Sequence, residues 1–185
     1  MELKQRLYDV DDLWEYGLRE EYRDKDYELI DGVIIEMTKP GTRHGQLVIR
    51  LGRYLDIFVE ENDLGIVTTE TGYFPQDYRF MMLAPDVAYV SRARQPESDP
   101  DKWMPIMPDL AVEIHSPTNT YKELREKAQL YLRHGSKLVW IIMPAKQSVE
   151  IHRPQIPPET LAFEDSLSGD DVLPGFELAL RRLFH

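Results

Sequence analysis

Pro108-Asp109-Leu110-Ala111-Val112-Glu113-Ile114-His115 is the stretch that decides the fold, together with the signals that follow it. It is a short apolar run behind a Pro-Asp pair, the pattern of a strand buried on both faces. Thr120 and Glu123 then stand at capping-box spacing, apolar residues recur at helical intervals to about His134, and Gly135 ends the helix. Lys137 to Met143 reads as a second buried strand, with Ser148 to His152 as its hairpin partner. Strand, helix and strand over 109–143 form a βαβ-type unit, for which a right-handed crossover is nearly obligatory when the strands are parallel. The class is therefore mixed α/β. Side chains alternate along a strand, so Leu110 and Val112 point to one face while Ala111, Glu113 and His115 point to the other. An acid thus interrupts a buried pattern, and a buried carboxylate needs a partner.

The Pro-Asp signature occurs once more upstream, in Ala84-Pro85-Asp86-Val87-Ala88-Tyr89-Val90, a second apolar strand headed by an acid. Tyr27-Glu28-Leu29-Ile30, Asp31-Gly32 and Val33-Ile34-Ile35-Glu36-Met37 give strand, two-residue turn and strand; Asp-Gly between apolar runs is the strongest short hairpin signal. A short helix is expected over 11–18, with Asp12 and Glu15 at capping-box spacing. From about Arg43 to Glu61, Leu47, Leu51, Leu55, Phe58 and Val59 recur at helical spacing and predict an amphipathic helix. Gly65 to Glu70 and the stretch around Tyr73 read as strands. Ser91 to Pro105 is polar and proline-rich, and is expected to form a mobile loop. Pro154 to Pro158 marks a surface excursion, and residues 172–185 read as a final element docked on the core. With no repeat of solenoid period, one domain over 1–185 is expected, its core at about 27–153.

Composition narrows the chemistry. The chain has no cysteine, which excludes disulfides, zinc-thiolate sites and thiol nucleophiles and agrees with a reducing compartment, with the cytoplasm as the default. The first residues hold no apolar leader and no run approaches a membrane span, so a soluble, unexported chain is expected. There are 33 acidic residues against 22 lysines and arginines, a formal charge of −11, which weighs against nucleic acid as a partner. Carboxylates that hold divalent cations count as negative in that tally. The five histidines show no metalloprotease or zinc-finger spacing, and no glycine-rich phosphate loop or Gly-x-Ser-x-Gly elbow occurs.

The site must be argued from carboxylates. Asp86 and Glu113 both sit on apolar strands that adjacency would bring close together. Two bare carboxylates repel unless one holds a proton or a cation neutralises both, and a hard oxygen-liganded ion such as Mg²⁺ or Mn²⁺ is the natural occupant. The plainer readings are that Asp86 caps its strand and that Glu113 pairs with an arginine. Lys127 lies one helical turn from Leu124 and from Tyr131, flanking the core stripe, whereas Lys122, Arg125 and Glu126 are expected to face solvent. It either snorkels or reaches the acids, where it would orient water and offset charge on a phosphate. Glu28 is a further oxygen ligand or an exposed strand acid. His44, at a helix start, faces either core or cleft, with a structural histidine the preferred reading. The set suggests a metal-dependent phosphodiesterase.

Taken together, YELIDGVIIEM, the His44-Gly45 helix start, APDVAYV, PDLAVEIHSP, EKAQLYLRHG, KLVWIIMP and the ending GDDVLPGFELALRRLF resemble the Uma2 family of "putative restriction endonucleases", within the PD-(D/E)XK nuclease superfamily. The resemblance implies a restriction-endonuclease-like mixed central β-sheet flanked by α-helices, with Asp86 and Glu113 as metal-binding acids and Glu28 matching the hairpin acid. In the wider superfamily a lysine stands two residues after the acid; here that position is His115. Lys127 on the next helix matches the position the lysine takes in the Uma-type family, with direct participation by His115 as an alternative. The implied activity is Mg²⁺- or Mn²⁺-dependent hydrolysis of DNA, with a homodimer formed through the tail or helix 43–61 and no membrane partner. Two rivals stay open, a nuclease-fold binding or regulatory module without chemistry, and a small-molecule phosphodiesterase.

Overall fold

The computed structural model describes residues 6–185. Helix α1 (Val10–Leu18) leads into a hairpin of β1 (Asp26–Ile30) and β2 (Val33–Met37), then α2 (Thr42–Glu61), β3 (Gly65–Thr68) and β4 (Val87–Ser91). β5 (Leu110–Ile114), α3 (Tyr121–Arg133) and β6 (Leu138–Met143) form the central unit. β7 (Ser148–Arg153), β8 (Ile156–Leu161), β9 (Ser166–Ser168), β10 (Glu177–Ala179) and α4 (Leu180–Phe184) complete the order. Six strands make one mixed sheet in the order β3-β4-β5-β6-β7-β8. Only β5 and β6 run parallel in it, joined by α3 as the strand-helix-strand reading requires.

Alternation sorts the side chains into two layers. Val87, Tyr89, Leu110, Val112, Ile114, Trp140 and Ile142 pack with Leu47, Leu51, Leu55 and Val59 of α2 and with Leu173, Phe176, Leu178 and Leu183 of the C-terminal segment. Ala88, Val90, Ala111, Val139, Ile141 and Met143 pack on the other face with Leu124, Ala128 and Tyr131 of α3. The sheet is thus sandwiched between α2 with the tail and α3. The tail docks as expected, and the sequence reading missed that β9 and β10 pair with each other before α4 begins.

The hairpin turn is built on Asp31 and Gly32, both at positive φ (50° and 77°), the geometry that matches the twist of a two-residue hairpin. Leu29 exchanges two backbone hydrogen bonds with Met82, each 2.8 Å, and so lashes the hairpin to the segment that runs into β4. That segment contains Tyr73, which makes isolated bridges to Leu83 and Met104 and no strand.

Four further expectations are corrected. Helix α1 is capped by Asp9, whose carboxylate accepts from Asp11 N and Asp12 N; the partner at N3 is Asp12, so the box sits three residues earlier than Asp12–Glu15. The second Pro-Asp strand begins at Val87, because Ala84 and Asp86 are spent on side-chain bonding. Residues 91–105 are tied down: Arg92–Arg94 form a single 3-10 turn, Met104 bonds to Gly72 and Phe74, and Trp103 packs edge-on against Trp14 with ring centroids 5.1 Å apart. Residues 154–158 turn at Gln155 (φ 59°) into β8, an edge strand, where prolines remove no hydrogen bond that the sheet needs.

Candidate active site

Glu113 points from β5 toward α3, and α3 answers with two side chains from one stripe. Lys127 Nζ lies 2.9 Å from Glu113 Oε1, and Tyr131 OH donates to the same oxygen at 2.7 Å. The stripe also carries Leu124 and Ala128, whose packing on the sheet fixes the height of Lys127. Lys127 reaches on to Glu28, with Nζ to Oε1 at 2.6 Å. Glu28 is there because of the Leu29–Met82 bridge: one residue before Leu29 and two after Met82, Glu28 Oε1 accepts from Ala84 N at 2.9 Å. Two residues further, Asp86 Oδ2 accepts from Ile114 N at 2.6 Å, which ties the head of β4 to the residue after Glu113. His44 Nε2 closes on Asp86 Oδ1 at 3.1 Å from the first turn of α2.

The three acids and the lysine singled out in the sequence thus meet at one end of the sheet, where Glu28 is 3 % exposed and Glu113 5 %, with Asp86 and Lys127 half-buried. His44 faces this cleft and not a purely apolar core, because its place in the first turn of α2 sets it against the head of β4. Tyr131 was read only as a core residue. Its position four residues after Lys127 on the same stripe is the signal that would have found it. His115 makes no bond to the acids among the described residues and stacks on Tyr121, ring centroids 4.1 Å apart. Arg125 is exposed as expected and also bonds to the buried Glu150 of β7, Nε to Oε2 at 2.9 Å.

The electrostatics show a shortage of positive charge. Burial pushes the Glu113 carboxyl up to about 7; Lys127 works against this, while Asp86 and Glu28 add to it. Burial works against the Lys127 ammonium, yet Glu113 and Glu28 together hold it above its usual range. The two shifts fit one picture, since the ammonium faces several carboxylates while each carboxylate must share it. Desolvation disfavours a charged His44, and its contact with Asp86 outweighs this and raises its pKa. The Tyr131 hydroxyl is driven well up, first by burial and then by Glu113, so it stays a donor.

The cleft around these groups has a volume of about 720 Å³. Eight acidic side chains line it against two lysines, and one of the lysines, Lys25, is spent on Glu36 at 2.7 Å. Among the described residues no three His, Cys, Asp or Glu side chains form a ready metal cage. Mg²⁺ does not require one, since it is commonly held by one or two carboxylates and keeps several waters. The hydrogen bonds to Glu113 fall on Oε1, so Oε2 has no protein partner among the described residues. An oxygen donor set with an uncompensated negative charge fits a hard divalent cation.

Comparison with known proteins agrees with the fold and its residues. The chain is similar over 95 % of its length to a solved structure described as a putative nuclease belonging to DUF820 from Anabaena variabilis ATCC 29413, with a TM-score of 0.80, 20 % identity and 97 % of that chain covered. No curated protein matches the chain. Residues 13–181 match the Uma2 family, described as "putative restriction endonuclease". The mixed sheet with flanking helices is the fold of that structure, and the chain belongs to the Uma2 family.

Proposed function

We propose that this chain is a metal-dependent endonuclease that hydrolyses phosphodiester bonds in DNA, with Asp86, Glu113 and Lys127 as its catalytic residues. The observation that carries the reading is the buried Glu28–Lys127–Glu113 bridge, placed beside an Asp86 that is pinned to the next backbone amide of β5. Asp86 and Glu113 would hold Mg²⁺ or Mn²⁺, with Glu28 contributing through water. When bound, such an ion supplies Lewis-acid polarisation of a phosphoryl oxygen and lowers the pKa of water.

The chain's own residues do the rest. Tyr131 holds Glu113 by Oε1 and leaves Oε2 without a protein partner among the described residues. Lys127, whose proton is held firmly, orients water and offsets charge on the phosphoryl group without acting as a base. His44 holds Asp86 in place. A homodimer through the outer face of α2, where Ile49 and Ile57 are exposed, belongs to the same reading and is checked by light scattering. The acidic lining of the cleft favours one alternative, a small phosphodiester substrate that needs no long basic track.

The test is nicking of supercoiled plasmid in Mg²⁺ or Mn²⁺ by the wild type and by Asp86→Ala and Glu113→Gln. Metal-dependent nicking that both variants lose supports the proposal. Absence of nicking, or equal nicking by all three, would sink it, and hydrolysis of a small phosphodiester alone would favour the alternative.

A further inference from the structure

A second cluster stands just past the acids, on the β6 side, and none of the chemistry above uses it. His115 follows Glu113 by two strand residues, which places it about 7 Å further along the chain direction. Its ring stacks on Tyr121, the first residue of α3, with centroids 4.1 Å apart and planes 24° from parallel. Lys146, in the turn between β6 and β7, lies with Nζ 4.3 Å from the Tyr121 ring centroid. Arg43, the neighbour of His44 in the first turn of α2, donates through Nη2 to the carbonyl of Pro144 in that same turn. Three elements distant in sequence therefore deliver a guanidinium, an ammonium and an imidazole to one end of the sheet.

Two features mark this cluster as a recognition surface rather than as core. Arg43 and Lys146 are exposed, and His115 and Tyr121 are half-buried, so none of the four belongs to the core. Neither cation is spent on an acid among the described residues: Arg43 bonds a carbonyl and Lys146 rests on a π face, whereas Lys25, Lys39 and Lys127 all pair with carboxylates. In a chain of charge −11, two cations without an acid partner, both at the β6–β7 turn, are where an anion is met. The aromatic contact matters because it restricts Lys146 to one place, which reduces the entropy lost when a ligand binds.

We infer that Arg43, His115, Tyr121 and Lys146 grip a backbone phosphate of the substrate strand next to the scissile one. The inference rests on the nucleic-acid reading above and adds where the strand runs: past α2 and the β6–β7 turn, away from the acidic β1–β2 side of the cleft. A single short grip of this kind reconciles a nucleic-acid substrate with an acidic protein. It needs one or two phosphates and no basic face.

The experiment is equilibrium binding of a fluorescein-labelled oligodeoxynucleotide, single-stranded and duplex, by anisotropy in Ca²⁺ across a salt series. Arg43→Ala and Lys146→Ala should each weaken binding several-fold and lower the slope of log affinity against log salt by about 0.7–0.9. Lys146→Arg should restore both. Tyr121→Phe keeps the ring and should bind like the wild type, whereas Tyr121→Ala should lose affinity with a smaller change in slope. Wild-type affinity and slope in the Arg43→Ala, Lys146→Ala double variant would overturn the inference, as would a wild type that binds neither oligonucleotide at low salt. Binding is read without cleavage, so a grip that passes this test in a protein that nicks no plasmid would overturn the endonuclease and leave the grip standing.

Discussion

Replacing Lys127 by methionine isolates the charge that holds the candidate site together. Methionine keeps an unbranched apolar stem and deletes the ammonium. The ammonium sits 2.6 Å from Glu28 and 2.9 Å from Glu113, and the three side chains are 11 %, 4 % and 6 % exposed, so little water is at hand to replace it. Removing one partner of a buried pair costs about 3–5 kcal/mol. One ammonium serves two carboxylates here, so the upper half of that range is expected at pH 8. The variant has one escape, which is to protonate Glu113. In the wild type that carboxyl titrates at about 7 even with Lys127 present, and in the variant it titrates higher. Between those two values the variant's native state binds one more proton than the wild type's. Its deficit therefore grows with pH, by up to about 1.4 kcal/mol per unit above pH 7, and is level below it. Urea denaturation in EDTA at pH 6, 7, 8 and 8.5 reads the deficit directly. A deficit under about 1 kcal/mol at pH 8, or one equal at pH 6 and 8.5, would refute the reasoning and make Lys127 a snorkelling side chain.

Glu113→Gln tests the other member. Its folded pKa is raised from 4.5 to about 7, so the stability linked to the wild-type proton is complete below pH 4.5 and lost as pH rises to 7. The wild type should lose on the order of 3 kcal/mol relative to the variant across that window, and parallel pH profiles would contradict it. Asp109 is the opposite case, 1 % exposed. Burial acts to raise its pKa, and bonds from Lys137, Ser91 and Arg94 outweigh it and lower the value. Asp109→Asn should cost about 1–3 kcal/mol at pH 7, and the cost should fade as pH drops below the ordinary carboxylate range, as followed by denaturation. Gly65 has φ 154°, and a Cβ there would stand 2.1 Å from the carbonyl oxygen of Val90. Gly65→Ala should lower stability by at least about 2 kcal/mol through displacement of β3 from β4, whereas an unchanged Tm would show that the connection relaxes freely.

The sequence was readable wherever geometry is local. Period-2 alternation in β5 assigned Leu110 and Val112 to one layer and Ala111 and Glu113 to the other, as found. The helical spacing of α2 and α3 gave their buried faces, and put Lys127 beside Leu124 and Tyr131, where it could either snorkel or reach the acids. What could not be read depends on long-range contacts. Glu28 joins the site because Leu29 pairs with Met82, a contact across the hairpin and the whole of α2. His44 was ambiguous because a residue in a first helical turn can face either side, and the docking angle of α2 decides. The α1 cap was misplaced by three residues because Asp9, Asp12 and Glu15 repeat the same spacing. The prolines at 157 and 158 argued against a strand, which fails only for an edge, and edge status is itself a property of the whole sheet.

The place of Lys127 on α3 follows from the same geometry. The position two residues beyond Glu113 follows the last paired residue of β5, Ile114, and its ring stacks on Tyr121. A cation for the acids must then come from the layer above them. The β5-α3-β6 crossover lays α3 across the face to which Glu113 points, and any residue on its inner stripe one turn beyond Leu124 arrives over that carboxylate. Lys127 occupies that place. The charge balance of the site therefore depends on how α3 packs, through Leu124, Ala128 and Tyr131, while Tyr131 itself donates to the same oxygen that Lys127 holds. Core packing and site electrostatics are therefore one problem along this helix, and His115, freed from the acids, is available for the surface beside them.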